Sequence, residues 1–325
     1  MIQDSYGRAI TNCRISVTDR CNLRCIYCMP EKPVWLPQNQ VLTFEEITRF
    51  ARICISLGVD HFRVTGGEPT ARKDLPELIG MLTALPGVRD LGMTTNGILL
   101  EKLAKPLWDA GLRRLNVSLD TLTEEKFVHI VRREGYGKVI AGLERAERVG
   151  FKPIKINMVV MRGVNDDEVV EMAALARTKP YQVRFIEFMP LDGDHLWSRD
   201  KVVGAQEILD RVQAKFPLER SEGSLSDPAR RWRFKDGLGD IGIIASVTEP
   251  FCFACDRVRI TAEGKFRTCL FSHKETDIRA MLRGGAEDGE IAAVLRGAIS
   301  KKEAGHGIND PNFVQPARAM YSIGG

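Results

Sequence analysis

The chain has 325 residues, of which 44% are hydrophobic and 28% are charged, as in an ordinary globular protein. This length accommodates one large α/β domain and a smaller second domain. The 47 basic and 43 acidic residues leave a net charge of +4, which is too small to indicate nucleic-acid binding but suits a local pocket for an anionic small molecule. Because the sequence shows neither a signal segment nor an apolar run of roughly 18 residues, we expect a cytoplasmic, reduced protein with no membrane partner.

The first two thirds of the chain alternate predicted strands and helices. A strand near 13–17 leads into a cysteine-rich loop, and Thr43-x-x-Glu46 is a capping box that opens a helix ending near residue 57. Five further strands, separated by helical segments, are predicted at 61–65, 90–94, 112–119, 154–160 and 182–188. Six successive β–α units predict a parallel sheet that curls into a partial (β/α)6 TIM-like barrel, because a complete barrel needs eight units.

The pattern changes after about residue 218. Residues 221–228 are polar and rich in turn formers, which is typical of a linker. Short alternating segments follow, and a helix is predicted near 290–301; the segments cover 231–235, 241–247, 258–261 and 265–268. We therefore expect a small C-terminal antiparallel sheet lying over the barrel, and two domains that cover residues 1–220 and 221–325.

Three cysteines, Cys21, Cys25 and Cys28, fall within eight residues. In a reduced compartment such a run indicates a soft metal rather than disulfides. It supplies three thiolates, whereas a closed zinc site or a fully ligated iron–sulfur cube needs four. The alternatives are a structural zinc knuckle and a cluster with one open iron. Cys13 lies in a predicted strand, so we expect it, like Cys54, to be a buried core residue.

The unusual residues of the barrel follow the carboxyl ends of its strands, where catalytic groups lie in β/α barrels. After the cysteine loop come Gly66-Gly67-Glu68-Pro69, Thr94 to Gly97, Ser118 with Asp120, and Met189. The glycine pair would let the main chain approach a ligand, although a tight β–α turn is the alternative. The alternatives for the others are helix caps for the hydroxyl residues and core packing for the methionine.

A second group of cysteines, Cys252, Cys255 and Cys269, lies near the other end of the chain. It again supplies three thiolates, and His273 could complete a zinc site, so zinc and a cluster both remain open from the residues alone. Between the cysteines, Arg257 and Arg259 would project from one face of a strand and form a clamp for phosphate. A solvated charged strand face is the alternative.

The spacing Cys21-x3-Cys25-x2-Cys28, with Tyr27 inside it, resembles the signature of the radical S-adenosylmethionine (SAM) superfamily. Over nearly its full length the chain resembles the GTP 3′,8-cyclase family of molybdenum cofactor biosynthesis, also called the cyclic pyranopterin monophosphate synthase A protein family. The resemblance extends to Arg63-Val-Thr-Gly-Gly-Glu-Pro69, Thr94-Thr-Asn-Gly97, Asn116-Val-Ser-Leu-Asp120, Lys155-Ile-Asn157, Phe185-Ile-Glu-Phe-Met-Pro190, Cys252-x2-Cys-Asp-Arg-Val-Arg259, Cys269 and the closing Gly324-Gly325.

The resemblance implies two [4Fe-4S] clusters, one on each group of cysteines, with SAM on the open iron of the first and the guanine of GTP on the open iron of the second. It implies SAM contacts from Tyr27, Gly67, Ser118 and Met189. It implies a GTP site formed by Arg14, Arg63, Thr94, Lys155, Arg257, Val258 and Arg259, and a Gly-Gly tail that reaches into the active site.

The implied reaction is the radical cyclisation of GTP to (8S)-3′,8-cyclo-7,8-dihydroguanosine 5′-triphosphate. The implied partners are a flavodoxin-like or ferredoxin-like electron donor and a downstream cyclic pyranopterin monophosphate synthase, with a homodimer as a further possibility. One alternative is a two-cluster radical SAM enzyme that modifies a peptide, although the paired arginines favour a phosphorylated substrate. The other is a zinc-stabilised binding module without enzymatic activity.

Overall fold

Six parallel strands, each followed by at least one helix, form the first part of the chain in the computed structural model, which describes residues 1–324. The strands are β1 (Asn12–Ser16), β2 (His61–Thr65), β3 (Asp90–Thr95), β4 (Arg114–Ser118), β5 (Ile154–Val160) and β6 (Tyr181–Glu187). The helices are α1 (Phe44–Ser56), α2 (Leu75–Thr83), α3 (Leu100–Asp109), α4 (Glu124–Val131), α5 (Tyr136–Val149), α6 (Val169–Thr178) and α7 (Ala205–Gln213). The six predicted strands and the helices predicted between them are confirmed.

The C-terminal part contributes shorter elements. They are β7 (Leu218–Ser221), β8 (Arg230–Phe234), β9 (Asp240–Ile244), β10 (Arg257–Ile260), β11 (Lys265–Arg267), β12 (Thr276–Asp277), α8 (Ile278–Arg283), α9 (Asp288–Ile299) and α10 (Met320–Ile323). Sequence reasoning placed β8 to β11 and α9 close to these bounds. It did not predict α7, β7, β12, α8 or α10. None of the helices described in residues 1–324 combines the length and the hydropathy that a membrane span requires.

All twelve strands of the described chain belong to one sheet, in the order β12-β11-β10-β1-β2-β3-β4-β5-β6-β9-β8-β7. The partial barrel is thus confirmed, but the expected separate sheet over it is wrong. Instead, β10 pairs with β1 and β9 pairs with β6, both in parallel, and antiparallel partners continue from each of them. The physical reason is that an open barrel leaves two strand edges with unpaired main-chain groups, which the C-terminal strands satisfy.

The predicted domain boundary at residue 220 falls inside β7, which pairs with β8. The two parts of the chain are therefore joined by continuous strand pairing, and the division at this residue stays a prediction.

The two faces of the barrel strands differ sharply in chemistry. Successive side chains of a strand point to opposite faces. One face carries apolar residues such as Ile15, Val64 and Ile156, which are fully buried in the core beneath the helices. Cys13 and Cys54 belong to this core, so their predicted burial is confirmed. The opposite face, which we call the polar inner face, consists of Arg14, Arg63, Thr94, Asn116, Ser118, Lys155, Asn157, Gln182 and Arg184.

Strand register aligns the polar inner face into rows. Thr94, Asn116 and Lys155 are direct neighbours across β3, β4 and β5. Arg14 lies between Arg259 of β10 and Arg63 of β2. A TIM barrel ordinarily fills its interior with layers of branched apolar side chains. The polar rows therefore indicate an interior used for binding rather than for packing.

Glu187, at the end of β6, joins the barrel to the C-terminal part. Its side chain is fully buried and accepts hydrogen bonds from the backbone N–H groups of Ala205, Val247 and Thr248 at 2.7–2.8 Å. One carboxylate thus holds the first residue of α7 and the segment that follows β9.

Replacing this carboxylate should loosen the junction. We expect Glu187→Ala to lower the free energy of unfolding by about 3–5 kcal/mol, since three buried N–H groups lose their acceptor. Glu219→Ala, at an exposed position of β7, is the matched control and should change stability by less than about 0.5 kcal/mol. Urea unfolding of the chain without cofactors measures both variants; equal midpoints would contradict the role assigned to Glu187.

Candidate active site

The first group of cysteines lies at the carboxyl end of β1, in a short loop. Cys21, Cys25 and Cys28 are free and only partly exposed. Burial and the nearby carboxylate of Glu68 raise the pKa of Cys21 to about 11. Burial, followed by the charges of Cys28, Asp120 and Cys21, raises the pKa of Cys25 well above its usual value. The three sulfurs thus share one buried environment, in which thiolates need the positive charge of a metal group.

Main-chain and side-chain hydrogen bonds fix this loop to its neighbours. The N–H groups of Arg24 and Ile26 donate to carbonyls at the end of α4 at 2.9 and 3.0 Å. The Tyr27 hydroxyl donates to Asp120 Oδ2 at 2.8 Å, and Asp120 Oδ1 accepts from the Val159 N–H at 2.8 Å. Burial raises the pKa of Asp120 to about 6. The aromatic residue inside the cysteine motif therefore connects the loop to the ends of β4 and β5.

The Gly66-Gly67 turn after β2 packs against the backbone that leads into Cys21. The Gly67 N–H donates to the Thr18 carbonyl at 2.7 Å. A Cβ on Gly67 would lie 2.4 Å from the Asp19 carbonyl oxygen and 2.5 Å from that of Arg20. Glycine is thus required for close main-chain approach, as expected, but the approach seen here is to the cysteine loop. Contact of Gly67 with SAM stays a prediction.

Glu68 is a buried carboxylate whose role sequence reasoning did not assign. Its Oε1 accepts from the Thr95 hydroxyl at 2.7 Å, and its Oε2 accepts from the Asn96 N–H at 2.6 Å. The Asn96 side chain in turn donates to Asn22 Oδ1 at 2.7 Å, beside Cys21. Burial raises the pKa of Glu68. This network connects the ends of β2 and β3 to the cysteine loop.

The second group of cysteines lies around the start of β10. Cys252 begins a short 3-10 turn and Cys255 follows its last residue. Burial raises the pKa of Cys252, and the charges of Cys269 and Cys255 add to this effect. Burial acts to raise the pKa of Cys255, but the charges of Arg257 and Lys302 outweigh it and lower that pKa to about 7. Because β10 pairs with β1, the second group stands beside the same barrel as the first.

His273, the fourth ligand of the zinc alternative, is engaged elsewhere. Its Nε2 lies 3.1 Å from the Val314 carbonyl oxygen, and the residue is exposed. Across residues 1–324, no three His, Cys, Asp or Glu side chains are spaced to hold a single metal ion. A cube of four irons holds its thiolates further apart than one ion does. Each group of three soft donors, partly buried and free of disulfides, fits a [4Fe-4S] cluster with one open iron.

The cations of the polar inner face stand close together. Within residues 1–324, Arg14, Arg63 and Lys155 form no ion pair with a carboxylate, although the charge of Asp227 acts on Arg63 and Lys155. Burial, followed by the charges of Arg259, Arg257 and Arg63, lowers the pKa of Arg14. Burial and the nearby Arg114 and Arg184 lower the pKa of Arg63 to about 10. In the described chain, Arg63 Nη1 and Arg259 Nε are buried without a hydrogen-bond partner. Such uncompensated positive charge fits a polyanionic ligand.

Lys155, on β5, is a further cation of this group whose pKa is lowered. Burial and the charges of Arg184 and Arg114 lower its pKa to about 7. Arg114 and Arg184 were not among the predicted ligands. The signal that could have found Arg184 is its alternation with Gln182 on β6, beside Lys155 and Asn157 on β5.

A glycine makes room for the arginine on β2. Gly92 is the register partner of Arg63, and a Cβ there would lie 3.3 Å from the Arg63 guanidinium. A larger residue would force that side chain to move.

The three predicted GTP-binding residues of β10 lie on opposite faces of the strand. Arg257 and Arg259 are buried at 8% and 5% exposure, so the solvated-strand alternative is excluded. Arg259 Nη1 donates to the Gly324 carbonyl at 3.2 Å. The Val258 side chain lies in the hydrophobic core, which leaves only its main chain for a ligand.

The C-terminal tail reaches the carboxyl end of β1, where the first group of cysteines lies. A Cβ on Gly324 would lie 2.9 Å from the Ser16 side chain at the end of β1, and the Tyr321 N–H is hydrogen-bonded to the Cys28 sulfur. Arg318 anchors the tail through ion pairs with Glu263 and Glu275 at 2.6 and 2.5 Å. Gly325, the last residue of the predicted tail, lies outside the described residues.

The remaining predicted SAM and GTP residues are partly exposed at the same edge. Thr94 and Ser118 lie on the polar inner face at the ends of β3 and β4, where the helix-cap alternative does not apply because neither caps a following helix. Met189, just after β6, packs against a small apolar cluster around Leu191 and Phe271. The structure therefore places these three residues at or near the carboxyl ends of their strands, on the side where the first group of cysteines follows β1, while their contacts with ligands stay predictions.

Comparisons with known proteins agree with this geometry. Residues 15–176 match the Radical SAM superfamily, and residues 181–308 match the family described as Molybdenum Cofactor Synthesis C. A structure of Streptococcus suis SuiB bound to the precursor peptide SuiA aligns with a TM-score of 0.64 over 90% of this chain and 67% of its own, at 15% identity. That likeness supports the fold. The chain is thus a member of the radical SAM superfamily.

Relatives of higher sequence identity show which family within this superfamily the chain belongs to. A GTP 3′,8-cyclase of Streptomyces coelicolor is 48% identical, with 99% of this chain and 96% of the relative covered. A mitochondrial GTP 3′,8-cyclase of Arabidopsis thaliana is 42% identical, with 100% of this chain and 84% of the relative covered. The chain belongs to the GTP 3′,8-cyclase family.

The packing of Gly67 generates a direct test. We expect Gly67→Ala to destabilise the cysteine loop by about 2–3 kcal/mol, because the added methyl group meets backbone that cannot move aside as a flexible side chain would. Anaerobic reconstitution should then retain less iron and sulfide per chain than the parent protein. Gly80→Ala in α2, where nothing lies within 4 Å of an added Cβ, is the control and should leave both quantities unchanged. Equal iron retention in the two variants would contradict the inference that glycine at position 67 is required for this close packing.

Proposed function

We propose that this chain is a GTP 3′,8-cyclase that converts GTP to (8S)-3′,8-cyclo-7,8-dihydroguanosine 5′-triphosphate with SAM and two [4Fe-4S] clusters. The observation that carries the proposal is a row of buried cations, without ion-pair partners among residues 1–324, that runs between two groups of three free cysteines. The alternative of a peptide substrate leaves this charge without a partner, whereas a triphosphate supplies one.

The first cluster would be held by Cys21, Cys25 and Cys28, and the second by Cys252, Cys255 and Cys269. When bound, the first cluster and SAM supply the carbon radical that removes a hydrogen atom from the substrate. In this proposal Tyr27, Gly67, Ser118 and Met189 contact SAM. The hydrogen bonds of Tyr27 and the Glu68 network keep the cysteine loop at the barrel rim, where SAM would face the polar inner face.

The triphosphate would lie along the polar inner face. Arg14 and Arg63 lie side by side on β1 and β2, and Lys155 lies on β5, beyond β3 and β4. Arg257 and Arg259 extend the cationic row toward the second group of cysteines. Thr94 offers a hydroxyl in register with Asn116, and Val258 offers its main chain. Holding the phosphates at one end and the guanine at the second cluster fixes the distance between the ribose and C8, which is what an intramolecular ring closure requires.

The proposal also needs partners outside the chain. A low-potential one-electron donor of the flavodoxin or ferredoxin type would reduce the first cluster. A cyclic pyranopterin monophosphate synthase would consume the product, and a homodimer is the assembly we propose.

The test is incubation of anaerobically reconstituted, reduced protein with SAM and GTP carrying deuterium at the ribose 3′ position. Removal of the 3′ hydrogen, ring closure to C8, and uptake of one electron and one proton give an isomer of GTP. We expect the deuterium to appear in 5′-deoxyadenosine. We also expect a new nucleotide that separates from GTP and has the mass of unlabelled GTP. Formation of 5′-deoxyadenosine without deuterium and without a new nucleotide would refute the proposed substrate.

The lowered pKa of Lys155 predicts a pH effect on GTP binding. In the free protein this amine is partly neutral at pH 7, because its pKa is about 7. A bound triphosphate favours the charged form, so binding at pH 8 should take up about 0.5–1 proton, and affinity should fall as pH rises through 7–9. Calorimetry in two buffers of different ionisation enthalpy measures the proton uptake.

The matched variants are Lys155→Gln and Lys152→Gln, the latter at an exposed position just before β5. Only the first should abolish the buffer-dependent part of the heat. Identical proton uptake in the two variants would show that the proton goes to another group.

A further inference from the structure

Lys302, just after α9, is a buried lysine that no part of the proposed GTP or SAM site uses. Its exposure is 3%, whereas the adjacent Lys301 is exposed. The Lys302 Nζ donates a hydrogen bond to the Arg257 carbonyl at 2.8 Å and a short one to the Thr268 carbonyl. Burying an ammonium group is costly unless hydrogen bonds and opposite charge offset the loss of water.

The two carbonyls belong to the segments that carry the second group of cysteines. Arg257 follows Cys255 by two residues, and Thr268 immediately precedes Cys269. One ammonium group therefore bridges two chain segments that would each supply a cluster ligand. The bridge constrains the separation of those two sulfurs.

The residues after Lys302 continue the contact to the third cysteine. A Cβ on Gly305 would lie 3.8 Å from the Cys252 sulfur, and the His306 N–H is hydrogen-bonded to that sulfur. The buried guanidinium of Arg8 donates to the carbonyls of Cys252 at 2.8 Å and Ala304 at 2.9 Å. Residues 302–306 thus touch all three cysteine segments.

The charge of Lys302 helps to lower the pKa of the adjacent Glu303, but the two side chains form no ion pair. Among residues 1–324, no Asp or Glu side chain forms an ion pair with it. The Glu303 carboxylate instead accepts from the Thr268 hydroxyl at 2.7 Å. Three thiolates outweigh the charge of an oxidised [4Fe-4S] core by about one unit, so a bound cluster would supply the missing negative charge.

We propose that Lys302 is a positioning residue of the second cluster, whose ammonium group bridges the segments of Cys255 and Cys269 and provides the cluster's countercharge. This inference rests on the proposed function, since it requires a cluster on the second group of cysteines. A nearby positive charge stabilises the reduced cluster, so its removal should shift the reduction potential to a more negative value.

The test uses the full chain with Cys21, Cys25 and Cys28 replaced by serine, so that only the second cluster contributes signal. Lys302→Met keeps the apolar stem and removes the charge, Lys302→Arg keeps the charge, and Lys301→Met is the matched exposed control. Iron and sulfide per chain after a chelator challenge, and the potential from a titration followed by electron paramagnetic resonance, are the readouts.

We expect Lys302→Met to retain less than half of the iron that Lys301→Met retains, and its remaining cluster to titrate at a more negative potential. Lys302→Arg should keep the potential of the parent. Equal iron and equal potential in Lys302→Met and Lys301→Met would overturn the proposal, as would loss of native circular dichroism in both Lys302 variants. A parent chain that binds no iron would instead refute the second cluster itself, and the proposed function with it.

Discussion

The structure depends on a constraint of charge: a barrel whose interior carries arginines and a lysine with few acidic partners. Such an interior forgoes the apolar packing that ordinarily fills a β/α barrel. Stability must then come from the other face of the sheet, where Ile15, Val64 and Ile156 pack beneath the helices. The positive charge that remains inside is tolerated because arginine keeps its charge even when burial and its neighbours lower its pKa, as they do for Arg14. A bound polyanion relieves that repulsion.

The C-terminal strands cover the two strand edges that the open barrel leaves exposed. Six parallel strands leave two exposed edges, and β9 and β10 cover them by parallel pairing rather than by lying across the barrel mouth. The same pairing places Arg259 beside Arg14 and carries the second group of cysteines to the barrel. Glu187 then joins the C-terminal part to the end of β6, and Arg318 holds the tail to Glu263 within the C-terminal part. The strand pairing that protects the edges of the open barrel thus also brings residues of the site together.

Carboxylates and cations that touch no proposed ligand nevertheless position the two groups of cysteines. Glu68 acts through Asn96 on the first loop, and Asp120 acts through Tyr27. Lys302 bridges main-chain carbonyls beside the second group. These side chains share one property: each is buried and satisfies main-chain or side-chain groups of a loop that must hold its sulfurs in place. A preorganised ligand set of this kind keeps a cluster's geometry independent of loop motion.

The local features follow from the residues alone: the order of the six barrel strands, the two spacings of cysteines, and the placement of Arg257 and Arg259 on one face of a strand. These follow from short-range rules, namely periodicity, capping and ligand spacing. Three features come from tertiary contacts instead: the C-terminal strands join the barrel sheet, Arg184 stands beside Lys155, and Lys302 lies between two cysteine segments. Those facts depend on strand register and on contacts between residues far apart in the chain, which local patterns do not encode.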